Sequence, residues 1–390
     1  MKDDVQPADY IDQLARGEFI RVGLGVLLVS FMTAHATLFS IIFARNGHDL
    51  HDIGVILSSA ALPIIFFSLI SSEFCTRIGV LPTLRLAMVL CIIGFASFYF
   101  TRASFTGAIV SRIVQGAGQG LFLSAAITYG QSRLTPNRLL YLLGVFSAMM
   151  PLSQALGPPF GEWSLARFGE NAMIASAVVP GLMGLALTFG VRPIPSPPRA
   201  GGLDLVASWR KELVLPLVSV ASAGSLFGFA VAYLAPALEA RHIPLAAFFT
   251  ASTLTMFATR ALGLRRVEEI ARRYLVAAGL TLEALGFVAV SSAGAHAWIV
   301  AIGGVLFGFG HSMIYPVLAV WVAHGVEPAR RAGPQAWLNA FFNVGIYATP
   351  LPETWLVAGF GYEWTMVALS CLCLVTACLL TLRGWSGRPS

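Results

Sequence analysis

Charged residues are scarce in this chain. Of its 390 residues, 11% are Asp, Glu, Lys or Arg and 57% are hydrophobic, whereas an average soluble protein has about 25% charged residues. Lysine occurs only at Lys2 and Lys211. This composition excludes an ordinary soluble domain and indicates a protein that lies largely within a membrane.

The sequence also lacks the motifs of membrane enzymes and ATP-driven pumps. It has no phosphate-binding pattern Gly-x-x-x-x-Gly-Lys-Ser/Thr, no zinc-binding pattern His-Glu-x-x-His and no Gly-x-Ser-x-Gly. Six of the seven Asp residues lie outside the apolar runs and Asp52 is the first residue of one, which excludes an intramembrane protease built on paired aspartates. We expect a protein that is not an enzyme and has no cofactor.

Cysteine is rare as well, and its five residues all lie in or beside apolar runs. Cys371 and Cys373 are two positions apart, which directs their side chains to opposite sides of a helix. We therefore expect neither a disulfide framework nor a metal site.

Long apolar runs fill most of the chain. A transmembrane helix needs about 20 mostly apolar residues. Twelve such helices are predicted, at residues 20–43, 52–73, 80–101, 105–130, 138–163, 171–191, 213–238, 245–264, 273–293, 297–323, 333–357 and 362–383. The sequence therefore predicts an all-α membrane protein with short connections.

The net charge of +6 reflects orientation in the membrane and not a nucleic-acid partner. With the N-terminus inside, the outer side has only Arg45, Arg102, Arg167 and Arg241, and Arg112 is intramembrane. The other 20 of the 25 Lys and Arg residues fall on the inner side. This bias predicts that both termini are cytoplasmic.

The two parts of the chain repeat each other at an offset of 192 residues, without a gap. The matched pairs include Gly116 and Gly308, Gly118 and Gly310, Pro158 and Pro350, and Trp163 and Trp355. A proline- and glycine-rich segment separates the copies and ends with Arg210 and Lys211. We predict a six-helix half at 1–191, a cytoplasmic linker at 192–212 and a second six-helix half at 213–390.

Three motifs resemble those of the major facilitator superfamily. The fourth helix has Arg112-x-x-Gln115-Gly116-x-Gly118, and the fifth has Gly157-Pro158-Pro159-Phe160-Gly161. The connection after the second helix keeps Arg77 and Gly79, but Thr76 stands where the family has an acidic residue. The resemblance covers essentially the whole chain. It implies twelve helices in two pseudo-symmetric halves, alternating access, and a cavity lined by the first, fourth, seventh and tenth helices. The fifth-helix motif is similar to that of antiporters and implies efflux.

Polar residues in the apolar runs are the candidates for substrate binding, because intramembrane polar groups are costly and usually functional. Arg112 and His35 are predicted at similar depth, and Asn339 and Asn343 share a face of helix eleven with Tyr347. The full set is His35, Arg112, Gln115, Gln119, His311, Tyr315, Asn339 and Asn343. Structural roles stay open: Arg112 as a hydrogen-bond hub, His35 as a packed imidazole, and the asparagines as paired interior amides.

Proton coupling is expected from His35, Glu283 or His311, the only His or Glu residues well inside the predicted spans. The resemblance puts helix nine, with Glu283, at the periphery, where a structural role for this acid is the alternative. The residues expected to take part in gating are Gly157, Pro158, Pro159, Pro350, Pro352, Arg77 and Gly79. The prolines should interrupt helices five and eleven at matching places.

Together, these observations and the resemblance predict a secondary carrier in a bacterial inner membrane, working as a monomer. It would export a small organic solute, which could be a neutral, zwitterionic or anionic metabolite, a metallophore or a drug, by proton antiport. Proton-coupled uptake is one alternative. A transport-inactive sensor or assembly factor on the same scaffold is another.

Overall fold

A computed structural model of the chain describes residues 7–132, 136–192, 208–262, 271–326 and 332–382. Within these ranges the protein is helical, and no strand occurs. Twelve helical units, α1 to α12, run up and down through one bundle. The prediction of an all-α fold is therefore confirmed.

The first six units correspond to the first predicted half. Several are interrupted by short irregular turns. Their bounds are Pro7–Ala34, His35–Leu38 and Phe39–Arg45 for α1; Leu50–Ser58 and Ala61–Arg77 for α2; Val80–Thr101 for α3; Phe105–Ser132 for α4; Pro136–Phe168 for α5; and Glu170–Thr188 for α6.

The last six units follow a 3-10 turn at Lys211–Leu213. Their bounds are Val214–Ala232 and Leu234–Glu239 for α7; Ala246–Leu262 for α8; Arg272–Ser291 for α9; Ala297–Ala323 for α10; Ala332–Asn343 and Val344–Ala348 for α11. A final run, Pro350–Leu382, turns at Gly361, whose φ is 81°. This turn ends α11 and begins α12.

Membrane-spanning character is evident in most units. Eight stretches of the described residues are long and apolar enough to cross a membrane. The longest, Gly333–Leu382, contains both α11 and α12. The other three units, α4, α5 and α8, complete the bundle by packing between these stretches.

Matched glycines pack helices together within each half in the same way. A methyl group at Gly116 of α4 would clash with the Ala60 carbonyl of α2, and one at Gly308 of α10 with the Ser252 carbonyl of α8. Gly118 and Gly310 likewise place α4 against α3 and α10 against α9. The repeat in the sequence thus produces equivalent close helix crossings, as expected for small residues in lipid.

The ends of the bundle differ in their polar contacts. The terminal end, where α1 begins and α12 ends, has Arg21 and Arg85 donating to the last carbonyls of α6, at Phe189 and Thr188. The far end holds the turns at 46–49, 102–104, 240–245 and 292–296. The predicted division at 191 and 213 stays a prediction, because residues 193–207 of the linker lie outside the described residues.

Candidate functional site

A cavity of about 590 Å³ lies between the two sets of six helices. Both sets contribute to its wall, and most of its lining is apolar. The polar lining residues are Ser30, Thr33, Ser68, Arg112, Gln119, Ser124, Gln154, His311, Tyr315, Asn339, Asn343 and Tyr347. Of the described residues that line it, Arg112 alone is permanently charged. A pocket with few polar groups on an apolar wall is typical of small-molecule sites.

Arg112 is held by both neighbouring helices. It is 4% exposed. Its Nη1 donates to Gln115 Oε1 at 2.6 Å, and its Nη2 donates to the Leu57 carbonyl at 3.0 Å. Leu57 lies just before the interruption of α2 at residues 59–60. The guanidinium also lies 5.5 Å from the centre of the Phe39 ring, a cation–π distance.

Part of this guanidinium is left without a partner. Within the described residues, Arg112 Nε and Gln115 Nε2 are buried and donate no hydrogen bond. Gln115 is fully buried and supports Arg112 without lining the cavity. Arg112 thus has the hydrogen bonds of a structural hub and also lines the cavity.

One hydrogen bond crosses the cavity from half to half. Gln119 Nε2 of α4 donates to the hydroxyl of Tyr347 in α11 at 2.5 Å. Tyr347 belongs to the π-helical segment Val344–Ala348. Such segments widen one turn and are frequent at functional sites. On the same wall, Asn343 Nδ2 donates to Asn339 Oδ1 at 3.4 Å.

Glu283 reaches the cavity wall through a histidine. The Glu283 side chain is fully buried, and its Oε1 lies 2.6 Å from His311 Nδ1. The other oxygen, Oε2, has no hydrogen-bond partner among the described residues. His311 lines the cavity. Sequence reasoning treated the two residues as separate candidates and missed this pair.

Aromatic rings fix the imidazole of His311. The Phe307 ring stacks on it with centroids 5.2 Å apart and planes at 15°, and the Phe227 ring lies 5.2 Å away on α7. Phe342 of α11 is a third neighbour at 6.0 Å. Tyr315, one turn further along α10, contacts the same Phe342 ring. The apolar rings leave His311 as the polar link between the cavity and Glu283.

His35 is placed elsewhere. It is fully buried in the 3-10 turn of α1, with Nδ1 2.9 Å from the Phe31 carbonyl and Nε2 3.4 Å from Ser176 Oγ. A side chain at Gly157 or Gly161 of α5 would clash with α1 around it. His35 is absent from the described cavity wall, and its contacts do not include Arg112. The structure thus does not bring these two candidates together.

The far end is closed by contacts between the halves. Glu162 Oε2 of α5 accepts from the Leu245 N–H ahead of α8 at 2.9 Å. Ser58 Oγ of α2 accepts from the Leu351 N–H of α11 at 2.9 Å. Gly54 of α2 lies against Thr354 of α11.

We call this cluster the far-end gate. Its members are Gly54, Ser58, Glu162, Tyr233, Leu245, Leu351 and Thr354. The Tyr233 hydroxyl donates to the Pro350 carbonyl at 2.8 Å and shares a hydrogen bond of 2.6 Å with Thr354. Glu162 and Thr354 occupy equivalent positions in the two halves at the 192-residue offset. Each of them contacts the other half, Glu162 at Leu245 and Thr354 at Gly54. Beyond the gate, Arg45 Nη2 lies 2.7 Å from Glu239 Oε1.

The predicted gating residues fall into two groups. Pro350 and Pro352 flank Leu351 of the far-end gate, shortly after the π-helical segment. By contrast, α5 continues as one helix through Pro158 and Pro159, so the matched prolines do not produce matching interruptions.

The other predicted gating residues lie at the terminal end. Gly79 has a φ of 95° and precedes α3. Arg77 Nε lies 2.5 Å from Glu73 Oε1 on its own helix.

The family model of the Major Facilitator Superfamily matches residues 22–267 and 248–389. The chain belongs to the major facilitator superfamily. It is therefore a secondary transporter, a multi-pass membrane protein that binds a small-molecule substrate in the bilayer.

The relatives of this transporter are bacterial. An uncharacterised MFS-type transporter of Burkholderia pseudomallei strain 1106a is 23% identical over 343 residues, covering 81% of this chain and 80% of the relative. The uncharacterised transporter YwbF of Bacillus subtilis is 26% identical over 142 residues, which is 35% of this chain and 34% of YwbF.

Solved structures share the fold. A D-xylose–proton symporter superposes with a TM-score of 0.74 at 18% identity, over 93% of this chain and 96% of the symporter. The human organic anion transporter MFSD10 superposes with a TM-score of 0.66 at 17% identity, over 94% of this chain and 99% of MFSD10. These similarities confirm the predicted twelve-helix fold of the superfamily.

Proposed function

We propose that this transporter exports a small organic solute from the bacterial cytoplasm in exchange for protons, by alternating access. The observation that carries the proposal is the arrangement of the cavity. Arg112 offers a positive donor on the wall of the first half, and the His311–Glu283 pair lies on the wall of the second half. A positive donor and a titratable acid on opposite walls can link substrate and proton binding.

The far end of the bundle corresponds to the outside in this proposal. Basic residues are sparse there, and the start of α1 and the end of α12 lie at the other end. The far-end gate then closes the extracellular side, and the protein lies in the inner membrane as a monomer. The segment from Gly157 to Gly161, which packs α5 on α1, favours export because it resembles the fifth-helix motif of antiporters.

The substrate is expected to carry an anionic or strongly accepting group. Arg112 is the permanently charged residue among the described residues that line the cavity, and no carboxylate is among them. The rings of Phe227, Phe342 and Tyr347 suit an apolar or aromatic body on the substrate. An organic anion or zwitterion with such a body fits this wall better than a multivalent cation.

The proton would bind at the His311–Glu283 pair. A buried carboxylate is stabilised by a protonated imidazole and becomes costly when that partner is neutral or displaced. Substrate in contact with His311 would therefore change the proton affinity of the pair, which is the requirement for coupling.

Transport by purified protein in liposomes tests this proposal. A thermal-shift screen of aromatic carboxylates, amino acids, neutral sugars and organic cations first identifies ligands that stabilise the protein. The radiolabelled ligand is then followed under an imposed pH gradient. Antiport predicts that ligand accumulates in the compartment that is more acidic, and that its movement carries protons in the opposite direction.

Each alternative gives a different result. Accumulation in the more alkaline compartment would establish proton-coupled uptake in place of export. Binding without flux under any gradient would contradict transport of that solute and indicate a sensor. Stabilisation by cationic compounds alone would contradict the substrate class.

A further inference from the structure

Glu353 is a buried acid without a counter-charge. It lies in α11 between Pro352 and Thr354 and is 1% exposed. Neither of its carboxylate oxygens has a hydrogen-bond partner among the described residues. Thr349, one turn earlier, donates its hydroxyl to the Gly345 carbonyl. No other part of the proposed transport mechanism uses this residue.

Glu353 lies in the chain between two members of the far-end gate, Leu351 and Thr354. The next residue, Thr354, contacts Gly54 and the Tyr233 hydroxyl, and Leu351, two residues before, donates to Ser58 of the other half. The contacts to Gly54 and Ser58 join the two halves and exist only while the halves meet at the far end. Opening the gate therefore exposes the surroundings of Glu353 to water.

The ionisable groups on the elements around Glu353 have other partners or are phenols, except His51, which is exposed. They are His51 and Asp52 of α2, Tyr233 and Glu239 of α7, Glu283 of α9, Tyr362 and Glu363 of α12, and Tyr347 of α11. Asp52 lies 3.8 Å from His48, Glu239 pairs with Arg45, and Glu363 pairs with Arg241. Tyr233 is near enough to interact with the Glu353 charge but is a neutral phenol. No cation among the described residues compensates Glu353.

An uncompensated carboxylate in such a site is strongly unfavourable, so the acid stays neutral while the gate is closed. In water, a glutamate loses its proton near about pH 4. We propose that Glu353 is a proton-binding site of the far-end gate, where binding of a proton from the outside closes the gate and its loss opens it. The carboxylate gains the proton as an O–H bond when the gate is open and hydrated.

The sign of the pH dependence follows from this cycle. Above about pH 4, the open gate is the form that has lost a proton, so raising the pH favours opening. One proton changes the ratio of open to closed molecules by at most about tenfold for each pH unit. This inference rests on alternating access, and it adds a second proton site to the proposed antiport.

A distance measurement at the gate tests the proposal with protons as the only ligand. Spin labels are placed at Ala44→Cys and Ala358→Cys, two exposed positions at the far ends of α1 and α11, in a variant without the five native cysteines. Pulsed electron paramagnetic resonance in nanodiscs then gives the distance distribution between pH 5 and pH 8. We expect a short distance at pH 5 and a growing longer component toward pH 8.

Glu353→Gln should keep the short distance at every pH, because the amide cannot ionise. Glu353→Leu is a second neutral variant and should give the same result. The matched control is Glu363→Gln, which removes a half-exposed carboxylate from the same end of the bundle and should keep the pH response of the parent.

Three results would overturn the proposal. They are a parent distance that does not change with pH, neutral variants that respond like the parent, or failure of both neutral variants to fold, which would show that the closed gate needs a charge at this position. Because the measurement contains no transported solute, it is independent of the proposed antiport. A parent that fails to couple flux to a pH gradient but still shows the Glu353-dependent distance would refute antiport alone.

Discussion

At the scale of single residues, the pair of Glu283 and His311 is expected to carry proton coupling. Glu283→Gln removes the acid but keeps its shape, so substrate should still equilibrate down its own gradient. A pH gradient should no longer drive accumulation. Flux in liposomes without a pH gradient measures the equilibration of substrate, and flux with a pH gradient measures its accumulation. Unchanged accumulation would show that Glu283 is a structural acid.

His311, the partner of Glu283, can be compared with His35, a buried imidazole elsewhere in the bundle. His311→Gln should uncouple transport as Glu283→Gln does, since the 2.6 Å contact links them. His35→Gln should leave coupling intact, because His35 packs between α1, α5 and α6 away from the cavity wall. The opposite outcome for the two variants would return proton coupling to His35.

Arg112 is the second residue with a specific expectation. Arg112→Leu should lower substrate affinity by at least about tenfold, since hydrogen bonds to charged groups contribute about 1.5–3 kcal/mol. Arg112→Lys should restore little, because one ammonium cannot reach both Gln115 and the Leu57 carbonyl as two guanidinium nitrogens do.

Ligand-induced thermal shifts measure this loss, and Arg167→Leu at the exposed end of α5 is the control. Equal affinity in Arg112→Leu and the parent would leave Arg112 with a purely structural role.

The sequence predicted these polar residues better than their pairings. Hydropathy singles out Arg112, Glu283 and His311 because each is isolated in an apolar run. It does not give the rotation of α9 against α10, which decides whether the Glu283 carboxylate meets His311. Glu353 lies near a helix end in the sequence, and only the packing of the helices shows that it is buried.

At the scale of the helices, Gly54 controls how closely α2 approaches α11. Gly54→Val would overlap the Thr354 hydroxyl and Tyr233 in the closed gate, and overpacking costs about 1–3 kcal/mol. The population should shift by about tenfold or more toward an open far end. The spin-label distance between positions 44 and 358 reports this change.

Gly359→Val provides the control at the same end of the bundle, because no atom lies within 4 Å of a side chain added there. It should leave the distance distribution as in the parent. A similar shift in both variants would indicate a general effect of bulk and not of the gate.

Helix interruptions were predicted only in part. Prolines predicted breaks in both α5 and α11, yet α5 continues past Pro158 and Pro159, while α11 widens into a π-helical segment before Pro350. The π-helical segment begins at Val344, six residues before the proline. The nearby glycine crossing of Gly224 and Gly345 involves α7, so tertiary packing contributes to its position.

At the scale of the whole molecule, the apolar runs, the internal repeat and the family resemblance together predicted the fold, and equivalent glycines create equivalent crossings in the two halves. Orientation in the membrane is a further prediction. Arg167→Cys at the far end should react with an impermeant thiol reagent added outside intact cells, and exposed Lys211→Cys should react only after the membrane is opened. The reverse pattern would show that the far end faces the cytoplasm, and the proposed direction of transport would then be uptake.

The exposed ion pair of Arg45 and Glu239 has a consequence for the medium in which the transporter works. Its side chains are 44% and 50% exposed, and such pairs contribute about 0–1 kcal/mol. Dissolved ions screen them further. The closed far end is therefore held by buried packing and hydrogen bonds, so its opening should be nearly independent of ionic strength. A cell that meets both dilute and saline surroundings would keep the same balance between the two faces.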